Sequence, residues 1–224
     1  MQAVSVIIPA LHEQHRINNL IAQIRQLAAD VELIVVDGDP AGSSISMVTD
    51  AAVICLTAPT GRGSQLAAGI AVATGDILLM LHADTLLPHR AFQAIRTAID
   101  HGAAWGAFRL GIDAPGLAYR IIERSVDLRC KLFTLPYGDQ AIFVSSSALK
   151  KIGGIPELPL MEDVALAQRL AKIGQRFCLL AERVGTSPRR WQQDGILRRT
   201  LRNWWLLLRY LGGADPSALA KEYR

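Results

Sequence analysis

The sequence predicts an α/β protein whose central sheet is mostly parallel and is covered by helices on both faces. Short β-branched runs alternate with longer segments in which apolar residues recur at helical spacing. The short runs are apolar throughout, which is typical of strands that are buried on both sides. With 224 residues, the chain is long enough for one such domain with a substantial core.

The first half of the chain carries the clearer alternation. We predict strands over residues 4–8, 33–36, 52–56 and 77–81. We predict helices over residues 13–28, 61–73 and 88–101, the last of them started by Pro88, whose fixed φ suits a first helical turn.

The second half of the chain is more mixed. We predict strands over residues 105–112, 140–145 and 177–180, and helices over 117–132, 163–173 and 196–211. The simplest organisation is a single domain over residues 1–224. It divides into a first half (1–100), a second half (101–185) and a C-terminal helical segment (186–224).

Composition narrows the class of protein. The formal net charge of +4 suits the handling of anionic phosphates, but a dedicated nucleic-acid binder has denser basic clusters, so we expect no nucleic-acid partner. Cys55, Cys130 and Cys178 lie far apart and match no metal or redox spacing. Neither a signal peptide nor an apolar run of about 20 residues is evident, so we expect a cytoplasmic protein.

Polar clusters follow three of the predicted strands. Pro9, Ala10 and Glu13 follow the first, Asp37 follows the second, and His82 and Asp84 follow the fourth. Ligands of open parallel sheets collect at the carboxyl ends of the strands. We therefore expect a nucleotide held by carboxylates at this edge, with a cation near Asp84.

These clusters belong to a longer ordered pattern. It consists of Ser5-Val6-Ile7-Ile8-Pro9, Val35-Val36-Asp37-Gly38, Gly75-Asp76-Ile77-Leu78 leading to His82-Ala83-Asp84, and Glu162-Asp163 with Arg169-Leu170. The pattern resembles glycosyltransferase family 2. The resemblance implies a GT-A fold with a Rossmann-like sheet and a mixed C-terminal half. Residues 1–100 would then be the nucleotide-binding half and residues 101–185 the acceptor and catalytic half. It also implies a nucleoside-diphosphate sugar donor, an acceptor, Mg²⁺ or Mn²⁺, and inversion at the anomeric carbon.

The resemblance also implies roles for the first loops. Pro9, Ala10 and Glu13 would grip the nucleoside, and Asp37 would face the base. His82 stands at the first position of the family's Asp-x-Asp motif, where it departs from the usual carboxylate. His82 would then either hydrogen-bond a ribose hydroxyl or merely cap its strand. Asp84 keeps the second carboxylate and would hold the metal.

Arg62 lies between two glycines at the start of a predicted helix. Backbone amides and the helix dipole favour phosphate at such an end, and an arginine adds a fixed charge. The plain alternative is a solvated arginine. We favour a contact of Arg62 with the donor.

Glu162 and Asp163 open another predicted helix. Carboxylates in a first turn stabilise a helix by about 0.3–1 kcal/mol, which would explain them without any catalytic role. Direct displacement also needs a base for the acceptor hydroxyl, and the resemblance places that base at Asp163. Glu162 would lie on the acceptor side, together with Gly138, Asp139 and Gln140, although Gly138-Asp139 is also a common turn signal.

The C-terminal segment carries a basic amphipathic pattern. Arg189-Arg190-Trp191 faintly resembles an element of processive family members. The helix that follows has one apolar stripe formed by Leu197, Leu201, Trp204, Trp205, Leu208 and Leu211, with arginines at positions 198, 202 and 209 on another face. Such a helix suits an anionic membrane surface, but packing against its own domain or in a homodimer is commoner, and we favour packing.

Two rival functions remain open from the sequence alone. A sugar-phosphate nucleotidyltransferase would share the sheet, but its glycine-rich basic loop is missing after the first strand, where Pro-Ala-Leu-His-Glu stands. A catalytically silent nucleotide-sugar or glycan-binding module would explain His82, but it would have no need of a base at Asp163.

Overall fold

A computed structural model describes residues 2–187 and 195–223 of the chain. Within them lies one eight-stranded sheet with the strand order β3-β2-β1-β4-β7-β6-β8-β5. The strands are β1 (Val4–Ala10), β2 (Glu32–Asp37), β3 (Ile54–Thr57), β4 (Ile77–Met80), β5 (Thr85–Leu86), β6 (Trp105–Ile112), β7 (Ile142–Ser145) and β8 (Phe177–Thr186).

The sheet has a parallel half and a mixed half. Strands β3, β2, β1 and β4 run parallel to one another. Strand β7 is antiparallel to both β4 and β6, whereas β8 is parallel to β6 and β5 is antiparallel to β8. The predicted fold class, a mostly parallel α/β sheet with a mixed second half, is confirmed.

Helices cover both faces of this sheet. They are α1 (Ile17–Leu27), α2 (Arg62–Val72), α3 (Ala91–Asp100), α4 (Leu117–Phe133), α5 (Ser146–Lys151), α6 (Glu162–Lys172), α7 (Ile196–Leu211) and α8 (Pro216–Tyr223). Because side chains alternate along a strand, neighbours on β1 enter different cores. Ile8 joins a core with residues of α1 and α3, whereas Ile7 joins one with residues of α2 and α6.

Helix α7 has the predicted bounds but presents an unexpected face to the protein. Leu206 and Leu207 are buried, and Leu206 packs with Leu160 and Leu219. The residues of the predicted apolar stripe whose side chains are described are exposed instead: Leu201, Trp204, Trp205, Leu208 and Leu211. The stripe therefore does not pack on its own domain, as one of the two predicted forms of packing required, and its packing in a homodimer stays a prediction.

Two further points concern the C-terminal part. Arg189-Arg190-Trp191 lies outside the described residues. Among the helices that are described, none combines the length and the apolar composition that a bilayer crossing requires.

Gly106 marks the tightest point of the sheet interior. A Cβ built there would lie 2.2 Å from the carbonyl oxygen of Cys178 and 2.4 Å from the Phe143 ring. We expect Gly106→Ala to lower the free energy of unfolding by about 1–3 kcal/mol, as overpacking does, in urea denaturation.

Gly185, on β8 of the same sheet, is the matched control. A Cβ at Gly185 would approach Leu86 Cβ no closer than 3.8 Å, an ordinary contact. Gly185→Ala is expected to change stability by about 0.5 kcal/mol or less. Equal losses for the two variants would contradict the tight packing of β6.

Candidate active site

Three of the polar clusters meet at one edge of the sheet because β1, β2 and β4 are parallel. Ala10 at the end of β1 pairs in register with Asp37 at the end of β2. The loop carrying His82 and Asp84 follows β4, which pairs with the other side of β1. Backbone φ is positive at His12, Ala141 and Met161, in loops next to predicted site residues. Such conformations are uncommon for non-glycine residues and cluster at functional sites.

A pocket of about 100 Å³ opens beside this edge. Its ionisable lining near the sheet edge is Arg62, His82, Asp84, Asp139 and Asp163, and the rest of its wall is Tyr137, Gly138, Leu160, Met161, Thr186, Ser187, Asn203, Leu206 and Tyr223. The predicted convergence of residues 84 and 163 on one cleft therefore occurs. Asp37 does not line this pocket.

The pocket depends on a close approach between the start of α2 and the loop before α6. A Cβ at Gly63 would lie 2.5 Å from the carbonyl oxygen of Leu158 and 2.8 Å from that of Pro156, so only glycine fits. This approach places Arg62 against the first turn of α6, which begins at Glu162.

Arg62 contacts three side chains at once. Its Nε lies 2.6 Å from Oε1 of Glu162, and its Nη2 lies 3.8 Å from Oδ2 of Asp163. Its Nη1 lies 3.1 Å from Nε2 of His82. Burial lowers the pKa of Arg62, but the Glu162 and Asp163 carboxylates outweigh it and leave the pKa above the ordinary value. The guanidinium therefore stays charged and ties α2, α6 and the loop after β4 together.

The contact with Arg62 indicates which tautomer of His82 fits this geometry. A guanidinium only donates hydrogen bonds, so Nε2 of His82 must accept. The imidazole is then neutral and carries its proton on Nδ1. In contrast to the carboxylate that the family usually has at this position, the neutral ring adds no negative charge to a site that already contains several carboxylates.

Asp163 is held by the backbone on both sides. Its Oδ2 accepts a hydrogen bond of 2.7 Å from the amide of Gly138, and its Oδ1 accepts one of 2.8 Å from the amide of Val164. The side chain is 10% exposed, at the pocket surface. Each oxygen keeps a free lone-pair direction, so a fixed carboxylate faces the pocket.

Glu162, predicted to lie on the acceptor side, does not line the main pocket but borders the small space behind it. Its side chain is 2% exposed and faces Arg62. Burial raises the pKa of Glu162 to about 7, Arg62 opposes the rise, and Asp163 adds to it. Among the described residues, Oε2 of Glu162 has no hydrogen-bond partner.

The turn over Gly138–Gln140 brings a further carboxylate to the pocket. A Cβ at Gly138 would lie 2.7 Å from Nε2 of His82, so this turn sits directly on the His82 loop. Burial raises the pKa of Asp139, Arg129 opposes it, and the carboxylates of Asp163 and Asp84 raise it further. Asp139 and Asp84 thus share one electrostatic environment.

Gln140, predicted to lie on the acceptor side, is part of the protein core. The residue is fully buried. Its Nε2 donates to the carbonyl of Phe108, and its Oε1 accepts from the amide of Tyr137 and from Arg129. With its amide group used in this way, Gln140 shapes the turn that carries Gly138 and Asp139.

The carboxylate of Asp37, predicted to face the base, is bonded to the backbone of its own loop. It is fully buried and accepts from the amides of Asp39, Ser44 and Ile45, at 3.0, 2.6 and 3.2 Å. A carboxylate satisfied by three amides has little capacity left for a ligand. The loop that it shapes presents Asp39, whose Oδ2 lies 3.8 Å from Nδ1 of the exposed His12.

The other residues predicted for the donor lie around this loop. The amide of Glu13 donates to Oγ of Ser44 at 3.1 Å, which joins the loops after β1 and β2. The carboxylate of Glu13 lies 3.4 Å from Arg16. Ala10 is buried, and Pro9 lines a small space behind the main pocket.

Sequence reasoning missed several residues that build the site. Nε2 of Gln65 donates to the carbonyls of Ala10 and Val36, at 2.7 and 2.8 Å, and so joins the ends of β1 and β2. Asn203 and Tyr223 reach the pocket from α7 and α8. A polar residue on the inner side of α2 was a usable signal for Gln65, but nothing local to the sequence singles out Asn203 or Tyr223.

The residues present suit a divalent cation that is bound together with a diphosphate. Within residues 2–187 and 195–223, no three His, Cys, Asp or Glu side chains form a ready-made metal site. Mg²⁺, however, commonly uses one or two carboxylates plus waters and substrate phosphates. Asp84, with Asp139 in the same pocket, provides that kind of donor set.

Two solved structures share this architecture. The mannosyltransferase PcManGT from Pyrobaculum calidifontis, in complex with GDP-Man and Mn²⁺, has a TM-score of 0.67 and 19% identity, covering 82% of this chain and 56% of its own. TarS 1-349 from S. aureus has a TM-score of 0.65 and 16% identity, covering 83% and 61%. The fold is therefore the GT-A fold of nucleotide-sugar transferases, as predicted.

The family follows from the sequence match. The model of glycosyl transferase family 2 matches residues 5–149, more than half of the chain. The chain belongs to glycosyl transferase family 2. It is also 31% identical, over 111 residues, to the undecaprenyl-phosphate 4-deoxy-4-formamido-L-arabinose transferase of Enterobacter sp. (strain 638). The match covers 44% of this chain and 34% of that protein, so the chain spans about a third of that relative's length.

The protonation of Glu162 makes stability depend on pH. The folded protein keeps this proton up to about pH 7, whereas the unfolded chain releases it near the ordinary value of 4.5. Folding therefore takes up a proton between these values, so the contribution of Glu162 to the free energy of unfolding falls as pH rises through this window. We expect the wild type to lose thermal stability relative to Glu162→Gln between pH 5 and pH 7.5 in a thermal melt series. A difference in melting temperature that stays constant across the series would contradict the raised pKa of Glu162.

Proposed function

We propose that the chain transfers a sugar from a nucleoside-diphosphate sugar to an acceptor hydroxyl by metal-assisted displacement with inversion. The observation that carries the proposal is the pocket in which Asp163, Arg62 and Asp84 converge at the carboxyl edge of the parallel strands. A fixed carboxylate, a fixed cation and a metal-binding carboxylate are the groups that this displacement requires.

Asp163 is the general base of the proposed reaction. It takes the proton of the acceptor hydroxyl as that oxygen bonds to the anomeric carbon. The bond from the anomeric carbon to the diphosphate oxygen breaks, and the electron pair leaves with the nucleoside diphosphate. The amides of Gly138 and Val164 hold the carboxylate in place for this step.

The donor side of the pocket receives the diphosphate. Asp84 would hold Mg²⁺ or Mn²⁺ with support from Asp139, and the bound metal would neutralise charge on the departing diphosphate. Arg62 adds a fixed positive charge to the same region. His82 would donate a hydrogen bond from Nδ1 to a ribose hydroxyl of the donor. The support for either metal comes from solved structures with the same fold, one of which contains Mn²⁺.

The nucleoside lies against the loops after β1 and β2. The surface that it contacts is formed by the backbone at Pro9 and Ala10 and by Glu13 and Ser44, which are hydrogen-bonded to each other. Asp39, not the buried Asp37, is the carboxylate that reaches it. On the acceptor side, Gly138 and Asp139 line the pocket next to Asp163.

We also propose that residues 1–224 act as one catalytic domain in the cytoplasm. The continuous sheet joins the halves 1–100 and 101–185. The segment 186–224 contributes Leu206 and Tyr223 to the pocket wall.

Replacement of the proposed base tests the reaction. We expect Asp163→Asn to bind a nucleoside-diphosphate sugar within about threefold of the wild-type affinity, because the base touches the acceptor. Transfer is expected to fall by about 10²–10⁴-fold, the usual contribution of a general base. Calorimetric donor binding with Mn²⁺, and the rate of nucleoside-diphosphate release, measure the two effects.

Asp100→Asn, at an exposed carboxylate on α3, serves as the control and should retain wild-type rates. A normal transfer rate for Asp163→Asn would contradict the base. The transfer rate of Asp163→Asn would also stay normal if the acceptor nucleophile were a phosphate oxygen, because such an oxygen has no proton for a base to remove. Pyrophosphate release from a sugar phosphate and a nucleoside triphosphate would instead support a nucleotidyltransferase.

A second surface suggests where the acceptor is found. On α7, Trp204 and Trp205 are 48% and 60% exposed. On α4, Leu117, Ile121, Leu128, Leu132 and Phe133 are exposed as well. Helix α7 lines the pocket through Asn203 and Leu206, and α4 ends four residues before Tyr137, which also lines it.

We propose that these two faces rest on an anionic membrane surface near a lipid-linked acceptor. Tryptophan side chains prefer the interface between water and lipid, and exposed Arg124, Lys131 and Arg198 lie on the same helices. The relative named after undecaprenyl phosphate supports a lipid as the carrier of the acceptor, and the nucleophile proposed for this chain is a hydroxyl of such a lipid-linked molecule. Arg202 and Arg209 contribute less, since both are engaged with α8.

The double variant Trp204→Ser, Trp205→Ser tests this contact. Burial of a large apolar side chain contributes about 1.5–3 kcal/mol, and 1.4 kcal/mol is about tenfold in affinity. We expect at least a tenfold loss of co-sedimentation with phosphatidylglycerol-containing vesicles, whereas transfer to a water-soluble acceptor should be unchanged.

Ile173→Ser, at a 43% exposed residue beyond the far end of α6, is the matched control and should keep vesicle binding. Unchanged vesicle binding by the tryptophan double variant would contradict the membrane contact. A dimer that the same variant converts to a monomer in light scattering would assign the face to a homodimer interface.

A further inference from the structure

Glu162 is a buried carboxyl group that is ionised above about pH 7 and that borders the small space behind the main pocket, not the main pocket itself. Its side chain is 2% exposed and lies outside the lining of the pocket. One carboxylate oxygen lies 2.6 Å from Nε of Arg62, and the other has no hydrogen-bond partner among the described residues. A buried carboxylate with only half of its hydrogen-bonding capacity used lowers the stability of the fold, so its presence indicates a role other than stabilisation.

The pairing fixes the orientation of the Arg62 fork. With Nε held by Glu162, the two Nη groups point to His82 at 3.1 Å and to Asp163 at 3.8 Å. The longer distance is an ion pair without a hydrogen bond. Arg62 therefore approaches the proposed base without binding it tightly, and the base keeps a free lone pair.

Without the charge of Glu162, the nearest remaining carboxylate to Arg62 is that of Asp163 among the described contacts. The guanidinium would then be expected to turn and form a direct hydrogen-bonded pair with Asp163. Such a pair weakens a base, because it stabilises the ionised form of the carboxylate. The turn would also remove the fixed charge from the diphosphate side.

We propose that Glu162 is a positioning residue that holds Arg62 off Asp163 and aims it at the pocket, so that it sets the rate of transfer without binding either substrate. This inference rests on the proposed function. It assigns to Glu162 a role that acts through Arg62.

A double-mutant cycle tests whether the two residues act through one another. Glu162→Gln removes the charge at constant shape, and Arg62→Lys keeps a charge but loses the fork. At pH 8, where Glu162 is ionised, we expect each single variant to lose about tenfold or more in kcat. In Glu162→Gln, whose side chain contacts neither substrate in this proposal, the KM for the donor and the acceptor should stay within about threefold of wild type. The kcat of the double variant should lie no more than about threefold below that of the slower single variant, because the effects of coupled residues are not additive.

Glu123→Gln is the matched control. Glu123 is also buried and paired with an arginine, since its Oε1 lies 3.0 Å from Arg120 and accepts from the amide of Ile112 at 2.7 Å, on α4. Its replacement is expected to lower the melting temperature and leave kcat unchanged. Glu162→Asp, which keeps the charge on a shorter arm, should recover part of the kcat lost in Glu162→Gln.

Three results would overturn the inference. They are an unchanged kcat in Glu162→Gln, strictly multiplicative losses in the cycle, and a loss confined to KM. If Glu162→Gln does not fold, the comparison of Glu162→Asp with Arg62→Lys carries the same test.

A crystal structure of Glu162→Gln tests the inference without any measurement of transfer activity. We expect Arg62 to move from 3.8 Å to within hydrogen-bond reach of Asp163. An unmoved Arg62 would refute the positioning role even if no donor is ever turned over. Absence of transfer by the wild type would refute the proposed function alone.

Discussion

The close approach of α2 to the loop before α6 is the constraint on which the rest of the site depends. Gly63 permits it, since any side chain there would strike the backbone of Pro156 and Leu158. The approach brings a cation on one helix against two carboxylates on another, across a distance that packing alone determines. The positions of Asp163, His82 and Arg62 in the pocket all follow from this contact.

The sequence was a good guide to the elements that a periodic pattern defines. The strands of the parallel half and both long helices α4 and α7 were predictable from their apolar periodicity. The place of Asp84 followed from the common edge at which parallel strands end, whereas that of Asp163 followed only from the resemblance to glycosyltransferase family 2. Strand β8 extends to Thr186, beyond the prediction, since Glu182 and Arg183 interrupt its apolar pattern. The two-residue strand β5 was too short to leave any pattern.

Side-chain direction was the part that the sequence could not supply. Asp37, Gln140 and Glu162 occur in motifs that suggest ligand contact, yet each is buried and bonded within the protein. A motif records residue type and spacing, but whether a carboxylate points outward depends on which amides and cations its neighbours bring. The stripe on α7 does not pack on its own domain for a related reason. Its periodicity was correct, but the helix buries the neighbouring face around Leu206 and leaves the tryptophans outside.

The wall formed by α7 and α8 has a consequence for heat inactivation. Tyr223 and Leu206 belong to a small apolar cluster that is separate from the two large cores of the sheet. Small clusters open at lower free-energy cost than the cores that they border. On warming, these two helices would detach while the sheet is still intact, and the catalytic cleft would lose a side well before the molecule as a whole melts.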